Sequence, residues 1–295
     1  MGLLPEFQFS QGNLQDYVDC PRRFQLRYLL QLTWPAIEAE PADEYEAQVR
    51  AGEAFHRLVQ QHILGIIPAA GTDLLLDEPL AGWWRAYLSS QPADLPALRF
   101  AEVVLSAGLG SHRLIAKYDL IAIEPGHRAV IVDWKTSARR PRPTWLAERI
   151  QTRVYRYLLV RAGAHLMARP RPGDVSGSAG IIKGEIRPEQ VEMIYWFANF
   201  PDEPERLRYD AIQFAADDEY LAELAAEITR RDDPVFPLTD DVRRCLFCTY
   251  RSLCGRGAVA GDFAAADDDT LIAADEPSAG WTDRFDIEQI AEIAF

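Results

Sequence analysis

The part of the chain that decides the fold lies between His112 and Thr136, where the sequence reads HRLIAKYDLIAIEPGHRAVIVDWKT. Its apolar patterns predict one strand over His112 to Glu124 and a second over Ala129 to Trp134. The dipeptide Pro125–Gly126 between them is typical of a turn. Strands joined by so short a connection pair with each other, so this segment predicts two neighbouring antiparallel strands in a sheet.

Two carboxylates and a lysine stand on these strands. Asp119 lies on the first strand, and Asp133 and Lys135 lie two residues apart on the second, so the latter pair projects from one face. Carboxylate oxygens on one rim are the ligands that Mg²⁺ or Mn²⁺ prefers. A lysine beside them can orient a water molecule and stabilise charge on a phosphate, which suits phosphodiester hydrolysis. Taken alone, however, a D-x-K triplet is more often an ion pair on an edge strand.

The rest of the chain alternates between helical and strand patterns. Apolar spacings of three and four residues predict helices, and runs of β-branched and aromatic residues predict strands. Helices are expected from Ser10 through Pro21 to Leu32, at Asp43 to Leu64, around Trp83 and Trp84, at Leu146 to Val160 and at Tyr220 to Ile228; further strands are expected at Glu102 to Ser106, Ile181 to Ile186 and Val191 to Ala198. This order predicts an α/β core with helical additions.

The four cysteines form a second motif. Cys245, Cys248 and Cys254 follow the spacing C-x2-C-x5-C, and Cys20 lies near the other end in Cys-Pro-Arg-Arg-Phe. Four thiolates can hold a 4Fe–4S cluster or a tetrahedral Zn²⁺, and the spacing does not choose between them. Buried free cysteines are the simpler alternative, which the close spacing disfavours. A shared metal centre would tie the two ends of the chain together.

Charge is distributed unevenly along the chain. The net charge is −14, yet Arg128 to Arg171 holds eleven basic and two acidic residues, whereas Asp262 to Phe295 holds ten acidic residues and one arginine. A basic centre can bind phosphate whatever the total charge, although such asymmetry is equally typical of solvated surface. We find no bilayer-spanning run, no basic-then-apolar leader and no GxxxxGK[ST] motif. A cytoplasmic protein without its own helicase motor and without a membrane partner is therefore expected.

Five features then occur in a fixed order. They are Gly52-Glu-Ala-Phe-His56, Glu102, Asp119, Asp133-Trp-Lys135 and Gln151-Thr-Arg-Val-Tyr155. In this order the chain resembles the RecB-like branch of the PD-(D/E)XK nucleases, which includes the nuclease domains of RecB and AddB and the iron–sulfur nucleases of CRISPR adaptation. Those iron–sulfur nucleases are also similar in having one N-terminal Cys followed by Pro and three Cys at the C-terminus. The chain departs from the pattern at Ala116, where the family often has Gly.

The resemblance implies a fold and a set of residue roles. The fold is a restriction-endonuclease-like core, a mixed central sheet flanked by helices, with helical N- and C-terminal elaborations joined by a four-cysteine 4Fe–4S cluster. The implied catalytic residues are Asp119, Asp133, Lys135 and Glu102; the ligands of Mg²⁺ or Mn²⁺ are His56, Asp119, Asp133 and the backbone carbonyl of Trp134; the DNA-binding residues are Gln151, Tyr155, Arg149, Arg153 and Arg156; the cluster ligands are Cys20, Cys245, Cys248 and Cys254.

The same interpretation predicts the organisation and the function of the chain. Residues 1–261 are expected to form one nuclease domain with insertions at about 68–96 and 170–208, followed at 262–295 by an acidic tail with an amphipathic pattern. The expected activity is metal-dependent cleavage of DNA ends or single strands in repair, recombination or CRISPR adaptation, beside a helicase or another protein of these pathways. Two alternatives stay open: a catalytically inactive iron–sulfur scaffold that binds DNA in a helicase–nuclease complex, and a zinc-stapled hydrolase of another class.

Overall fold

The computed structural model describes residues 3–32, 42–167 and 185–257, with the side chains of 42–49 excepted. The acidic tail at 262–295 lies outside the described residues. So does most of the strand predicted at Ile181 to Ile186, and its two described residues, Glu185 and Ile186, are not in a strand. Within the described ranges, no helix is long and apolar enough to cross a bilayer.

One mixed sheet forms the centre of the fold. Its strands are β1 Gln8–Ser10, β2 Leu98–Leu109, β3 His112–Glu124, β4 Arg128–Lys135, β5 Val191–Phe197 and β6 Phe200–Arg208. β2 is antiparallel to β3 and pairs with nearly all of one of its edges. The other edge of β3 is shared: parallel β1 pairs with its first residues, and antiparallel β4 pairs with its last residues. β5 is parallel to β4, and β6 is antiparallel to β5. The mixed sheet flanked by helices is the predicted fold class, which is confirmed.

The helices of the described residues surround this sheet. They are α1 Gln11–Asp19, α2 Pro21–Phe24 with a π-helical turn Gln25–Leu29, α3 Ala42–Ile63, α4 Leu80–Ser90, α5 Pro143–Glu148, α6 Ile150–Ala162 and α7 Ala211–Arg230. Ser10 caps α1: Asn13 N donates to Ser10 Oγ at 3.3 Å, and Ser10 N donates to Asn13 Oδ1 at 2.9 Å. Asp210 caps α7, accepting from Gln213 N at 2.8 Å.

Alternate residues of the inner strands fill two separate cores. On one face of β4, Ala129 and Ile131 join the core that α1, α6 and α7 cover. On the other face, Val130, Val132 and Trp134 join an aromatic-rich core under α3 and α4. Because successive strand residues point to opposite faces, a strand covered on both sides is apolar throughout, as this run predicts.

Two predicted helices have different bounds in the structure. The helix predicted at Leu146 to Val160 is divided into α5 and α6, because Arg149 between them is extended, with φ −60° and ψ 141°. The helix predicted from Tyr220 begins already at Ala211, immediately after its cap. The strand predicted at Glu102 to Ser106 extends over Leu98–Leu109, and the patterns do not predict strands β1 and β6.

Residues of both expected insertions contribute to the core. Between 68 and 96, α4 buries Trp83, Trp84 and Tyr87 against the sheet. In the range 170–208, the described residues include β5 and β6, which are strands of the central sheet. A family pattern follows polar motif positions, so it skips core elements that carry none.

Candidate active site

The site lies where two strands begin to separate. β3 and β4 pair as far as Leu120 and Val132, and the next two residues in this register are Asp119 and Asp133. Trp134 N, one residue further, donates to the Asp119 Oδ2 carboxylate oxygen at 2.9 Å. The end of the ladder therefore sets two carboxylates opposite each other, at the positions that the sequence predicts.

Strand β3 has an open edge beside these carboxylates. That edge pairs with β1 at residues 113–115 and with β4 at residues 120–124, so no strand of the described part of the chain adjoins it at 116–119. In this opening Ala116 and Tyr118 are fully buried, whereas the side chains of Lys117 and Asp119 are 35% and 20% exposed. Lys117 and Asp119 are thus the accessible side chains of the opening.

Asp133, Lys135 and Gln151 form a closed triangle of contacts. Lys135 Nζ lies 3.0 Å from Asp133 Oδ2 and donates to Gln151 Oε1 at 3.1 Å. Gln151 Nε2 in turn donates to Asp133 Oδ1 at 2.8 Å. Because Gln151 belongs to α6, this helix fixes the positions of both motif side chains of β4. Gln151 thus contacts both motif side chains, whereas the sequence predicted that it contacts DNA.

His56 of α3 approaches Asp119 from the face of the sheet opposite to α6. Its Nδ1 lies 3.3 Å from Asp119 Oδ1, and its side chain is 32% exposed. One helical turn earlier, Gly52 packs so closely on the residue after the motif lysine that a Cβ would lie 2.9 Å from Thr136 Oγ1. The absence of a side chain at Gly52 therefore lets α3 approach the end of β4.

Burial and neighbouring charges shift the pKa values of Asp119, Asp133 and His56. Burial raises the pKa of Asp133; Lys135 opposes that rise, and the neighbouring charge of Asp119 adds to it. Burial acts in the same direction on Asp119, but His56 and the Trp134 amide outweigh it, so the pKa of Asp119 is below its usual value. Burial alone would lower the pKa of His56, yet Asp119 raises it above the usual value. Adjacent buried carboxylates of this kind are stabilised by a cation.

Two tyrosines hold α6 against the open edge of β3. Tyr155 OH donates to the Lys117 carbonyl at 2.8 Å, and Tyr118 OH donates to the Tyr155 carbonyl at 2.9 Å. Their rings lie 4.7 Å apart, and both are buried. Tyr155 is thus placed inside the protein, where it fixes the helix that carries Gln151; this corrects its assignment to DNA.

The three arginines of α6 and its boundary do not line a groove. Arg156 is buried, donates to the carbonyls of Thr152 and Arg208, and lies beside Asp217 of α7. Arg153 Nη1 lies 2.8 Å from the same carboxylate. Arg149 is also buried, and its guanidinium stacks on the Trp145 ring at 4.4 Å. Asp217 of α7 engages Arg153 and Arg156, and Arg149 is buried against Trp145, so the expectation that these three arginines contact DNA does not fit their surroundings.

Glu102 lies across the sheet from Asp119 but contacts a different residue. Pairs on either side, Ala101 with Leu120 and Val103 with Tyr118, put it opposite Asp119 in the ladder. Its carboxylate forms an ion pair with Lys117. Its backbone has φ +57°, a left-handed conformation that is rare for a residue other than glycine. The carboxylate predicted as catalytic is therefore engaged by Lys117 at the edge of the site.

The donors at the separation of the strands fit a divalent cation. Asp133 Oδ2 is buried, and within the described residues its near neighbour is Lys135 Nζ at 3.0 Å, which forms an ion pair with it but no hydrogen bond of good geometry. Two carboxylates and an imidazole are the hard donors that Mg²⁺ and Mn²⁺ take. Here these side chains contact one another, and nowhere in residues 3–32, 50–167 and 185–257 do three His, Cys, Asp or Glu form a complete metal site.

The four cysteines lie in one neighbourhood. All are free thiols; Cys20 is buried, and the other three are partly buried. Burial raises the pKa of Cys245, Cys248 and Cys254, and the nearby thiols, Cys20 among them, add to each rise. Arginines oppose these rises, namely Arg256 and Arg23 at Cys245, Arg23 and Arg27 at Cys248, and Arg22 at Cys254. The fold therefore brings Cys20 within electrostatic reach of the other three thiols and of several arginines, although no three of these cysteines form a complete metal site in the described residues.

Three residues of the site were not predicted from the sequence. Lys117 stands two residues before Asp119 on the same strand, a same-face spacing that could have indicated it. Thr136 directly follows the motif lysine, but its contact with Gly52 depends on how α3 packs. Tyr118 has no signal in the sequence, because its partner carbonyl belongs to a helix distant along the chain.

The chain is similar to two solved structures and to one family profile. SSO0001, whose crystal structure is known, has 15% sequence identity and a TM-score of 0.40, covering 85% of this chain and 87% of that one. A protein of Eubacterium rectale with the provisional name exonuclease has 10% identity and a TM-score of 0.45, covering 77% and 81%. No curated protein gives a significant match. The sequence profile of the PD-(D/E)XK nuclease superfamily matches residues 8–255, which include both carboxylates, the motif lysine and all four cysteines, and the chain belongs to that superfamily.

Proposed function

We propose that this chain is a Mg²⁺- or Mn²⁺-dependent deoxyribonuclease that hydrolyses phosphodiester bonds at DNA ends or in single strands. One observation carries the proposal: Asp119 and Asp133 face each other where β3 and β4 part, with Lys135 held beside them by Gln151 at 3.1 Å. Membership of a nuclease superfamily supports the reaction class. The resemblance to the RecB-like branch supports DNA as the substrate.

Each side chain of the site has a role in this reaction. Asp119 and Asp133 would hold the cation, with His56 and the carbonyl of Trp134 completing its protein ligands. When bound, a divalent cation polarises the scissile phosphate and lowers the pKa of a water molecule, which is the chemistry that hydrolysis needs. Glu102 is not included in this set, because its carboxylate contacts Lys117.

Lys135 is the group that would act on the reacting atoms. Its ammonium lies within hydrogen-bonding distance of both Asp133 and Gln151, so its position is fixed before substrate binds. From there it can orient the attacking water and donate to a phosphate oxygen as negative charge develops. Gln151 acts as a positioning residue, since it holds Lys135 and Asp133 together.

The test uses the purified full-length chain with end-labelled linear single strands, linear duplexes and closed circular duplexes. Mg²⁺, Mn²⁺ and a chelator are compared, and the Asp133→Asn variant is purified in parallel as the control for contaminating nucleases. We expect metal-dependent loss of single strands or linear ends by the native protein alone, with circular duplex intact. DNA binding without cleavage under every metal condition would favour the inactive scaffold instead.

We further propose that the four cysteines hold a 4Fe–4S cluster, with structural Zn²⁺ as the alternative. Four thiolates carry more negative charge than the metal they bind, so the surrounding Arg22, Arg23, Arg27 and Arg256 suit such a centre. Anaerobic purification followed by visible absorption and elemental analysis decides between the two. Broad visible absorption with iron and sulfide supports the cluster, whereas a colourless protein with one equivalent of zinc overturns it.

The proposed setting is DNA repair, recombination or CRISPR adaptation beside a separate helicase. The chain has no GxxxxGK[ST] motif of its own, so strand separation would have to come from another protein. We expect a blunt duplex to be degraded slowly by the chain alone and quickly when an unrelated helicase unwinds it. Equal rates with and without unwinding would show that the chain needs no such partner.

A further inference from the structure

Lys117 occupies a position that the proposed chemistry leaves unused. It lies with Asp119 in the open stretch of β3, and these are the two accessible side chains among residues 116–119. Residues two apart on a strand stand about 7 Å from each other on one face. That separation is comparable with the distance between neighbouring phosphates along one nucleic acid strand. A strand whose scissile phosphate lies at Asp119 therefore brings an adjacent phosphate to Lys117.

We propose that Lys117 binds the phosphate next to the scissile one, and that Glu102 occupies the lysine until nucleic acid displaces it. The proposal rests on the nuclease function and assigns a substrate contact that this function needs. Lys135 is already held by Asp133 and Gln151, so the neighbouring phosphate requires a second cation. Lys117 supplies that cation on the accessible side of β3.

The ion pair between Lys117 and Glu102 suits an exchange of partners. Both side chains are partly exposed, at 35% and 17%, and pairs in contact with water add little to stability. A phosphate carries the same kind of acceptor oxygens as a carboxylate, and its bonds to an ammonium are charge-assisted. Replacing Glu102 by phosphate therefore keeps the lysine satisfied while adding a contact to the substrate.

The backbone around this pair is held in place on both sides. Tyr155 OH donates to the Lys117 carbonyl at 2.8 Å, which fixes the base of the lysine side chain. Glu102 has φ +57°, although its neighbours continue the ladder with β3 on either side. A left-handed residue within an intact strand is a strained feature of the kind that occurs at functional sites. Here it accompanies the carboxylate that contacts Lys117.

The experiment measures cleavage and binding separately for matched variants. Steady-state kinetics on a labelled single strand give kcat and KM, and fluorescence anisotropy in chelator gives affinity at several salt concentrations. Lys117→Ala is compared with Lys117→Arg, which keeps the charge, and with Glu102→Gln, which removes the competing carboxylate. Arg113→Ala is the control: this arginine is exposed on the same strand, bonded to Ser106 at 2.8 Å, and about 20 Å from Asp119.

We expect Lys117→Ala to raise KM about 10-fold with kcat within about threefold, since one charged phosphate contact is lost. The slope of log affinity against log salt should fall by about 0.7, the value for one phosphate of a single strand. Lys117→Arg should restore both quantities, and Glu102→Gln should lower KM. Arg113→Ala should change neither kcat nor KM.

Two results would overturn the proposal. One is an unchanged KM and salt slope in Lys117→Ala, and the other is a loss confined to kcat. Thermal melting of each variant identifies misfolding. If Lys117→Ala misfolds, the KM values of Lys117→Arg and Glu102→Gln test the proposal instead. The binding assay needs no cleavage, so a native chain that binds DNA without cutting it would refute the nuclease function and still test Lys117. A native chain that neither binds nor cuts nucleic acid would refute both.

Discussion

The two faces of the sheet each deliver one helical side chain to the same pair of carboxylates, but they hold it by different means. On the α3 face, His56 is placed by close packing: Gly52 against Thr136, and Phe55 stacked on Trp196 with ring centroids 6.2 Å apart. On the α6 face, Gln151 is placed by hydrogen bonds through Tyr118 and Tyr155. One face thus depends on shape, and the other depends on polar partners.

The difference predicts how each face responds to change. A packed face has no tolerance for added volume, because protein interiors are filled to crystal-like density. A hydrogen-bonded face tolerates small changes in volume, but loses stability when a buried donor or acceptor is left without its partner. The strands between the two faces carry the chemistry itself, so their substitution should have the largest effect on cleavage.

Substitution of the motif on β4 should abolish activity whichever face is intact. We expect Asp133→Ala and Lys135→Ala to lower single-turnover cleavage by about 10³-fold or more, because both side chains act on the developing charge. The melting temperature of Asp133→Asn should not fall, since burial raises the pKa of Asp133 and its charge repels that of Asp119. Full activity in either alanine variant would refute the assignment of the site.

A single methyl group on the α3 face should disturb catalysis without replacing a side chain of the site. In Gly52→Ala the new Cβ would stand 2.9 Å from Thr136 Oγ1, so either the Thr136 side chain rotates or α3 moves away from β4 and carries His56 with it. The loop cannot retreat freely, because Asn199 Nδ2 donates to the Thr136 carbonyl at 3.1 Å. We expect kcat to fall about 10- to 100-fold, as displacements of this size do in other sites.

The matched control for that change is Gly108→Ala on β2, where an added Cβ meets nothing within 4 Å. We expect its kcat and melting temperature to stay near those of the native chain. If both alanine variants have the same kcat, the close approach of α3 does not position His56.

Loss of one hydroxyl on the α6 face should affect stability more than cleavage. Tyr155→Phe leaves the Lys117 carbonyl without its donor, which costs about 1–3 kcal/mol when the acceptor is buried. The expected fall in kcat is a few-fold, because Gln151 keeps its own contacts. Tyr157→Phe is the control on the same helix, since its hydroxyl bonds Asp218 at 2.6 Å, on the side facing α7. Denaturant unfolding of the two variants measures the difference.

The smallest effect on DNA is expected from the buried arginine of α6. Arg156→Met should lower the free energy of unfolding by about 3 kcal/mol, because it deprives the buried Asp217 of one cationic neighbour. The salt slope of DNA binding should stay unchanged, since a side chain beneath α7 contacts no phosphate. As a control, Arg206→Ala removes a surface pair with Asp94 and should cost about 1 kcal/mol or less. A reduced salt dependence of DNA binding in Arg156→Met would show that this arginine does contact DNA.

The hairpin of β3 and β4 could be predicted from sequence because its signals are local. Strand alternation, the Pro125–Gly126 turn and the spacing of Asp133 and Lys135 all lie within one short segment. The arginines of α6 could not be assigned in this way. Helical periodicity gives the face on which Arg153 and Arg156 lie, but not that Asp217 on a distant helix covers that face. Long-range packing decides whether a charge meets solvent or a partner.

The open stretch of β3 beside Lys117 could not be predicted from the sequence for a related reason. It exists because β1 and β4 pair with different ends of one edge of β3 and leave residues between them. Neither strand carries a signal for that arrangement, since strand register depends on the assembled sheet. The left-handed backbone of Glu102 is equally invisible, as the surrounding residues form an ordinary strand pattern.

Residues 234–250 form hydrogen bonds with residues 25–32, which has a consequence for synthesis on the ribosome. Gln25 is buried, and its amide donates to the Pro234 carbonyl at 3.1 Å and accepts from Phe236 N at 2.9 Å. Tyr250 OH bonds the Leu32 carbonyl at 2.9 Å, also across most of the chain. Gln25 and Leu32 therefore emerge long before these partners, and their hydrogen bonds form only after translation has passed residues 236 and 250, respectively. A nascent chain arrested before Pro234 should expose this segment to protease, and one arrested well beyond Tyr250 should protect it.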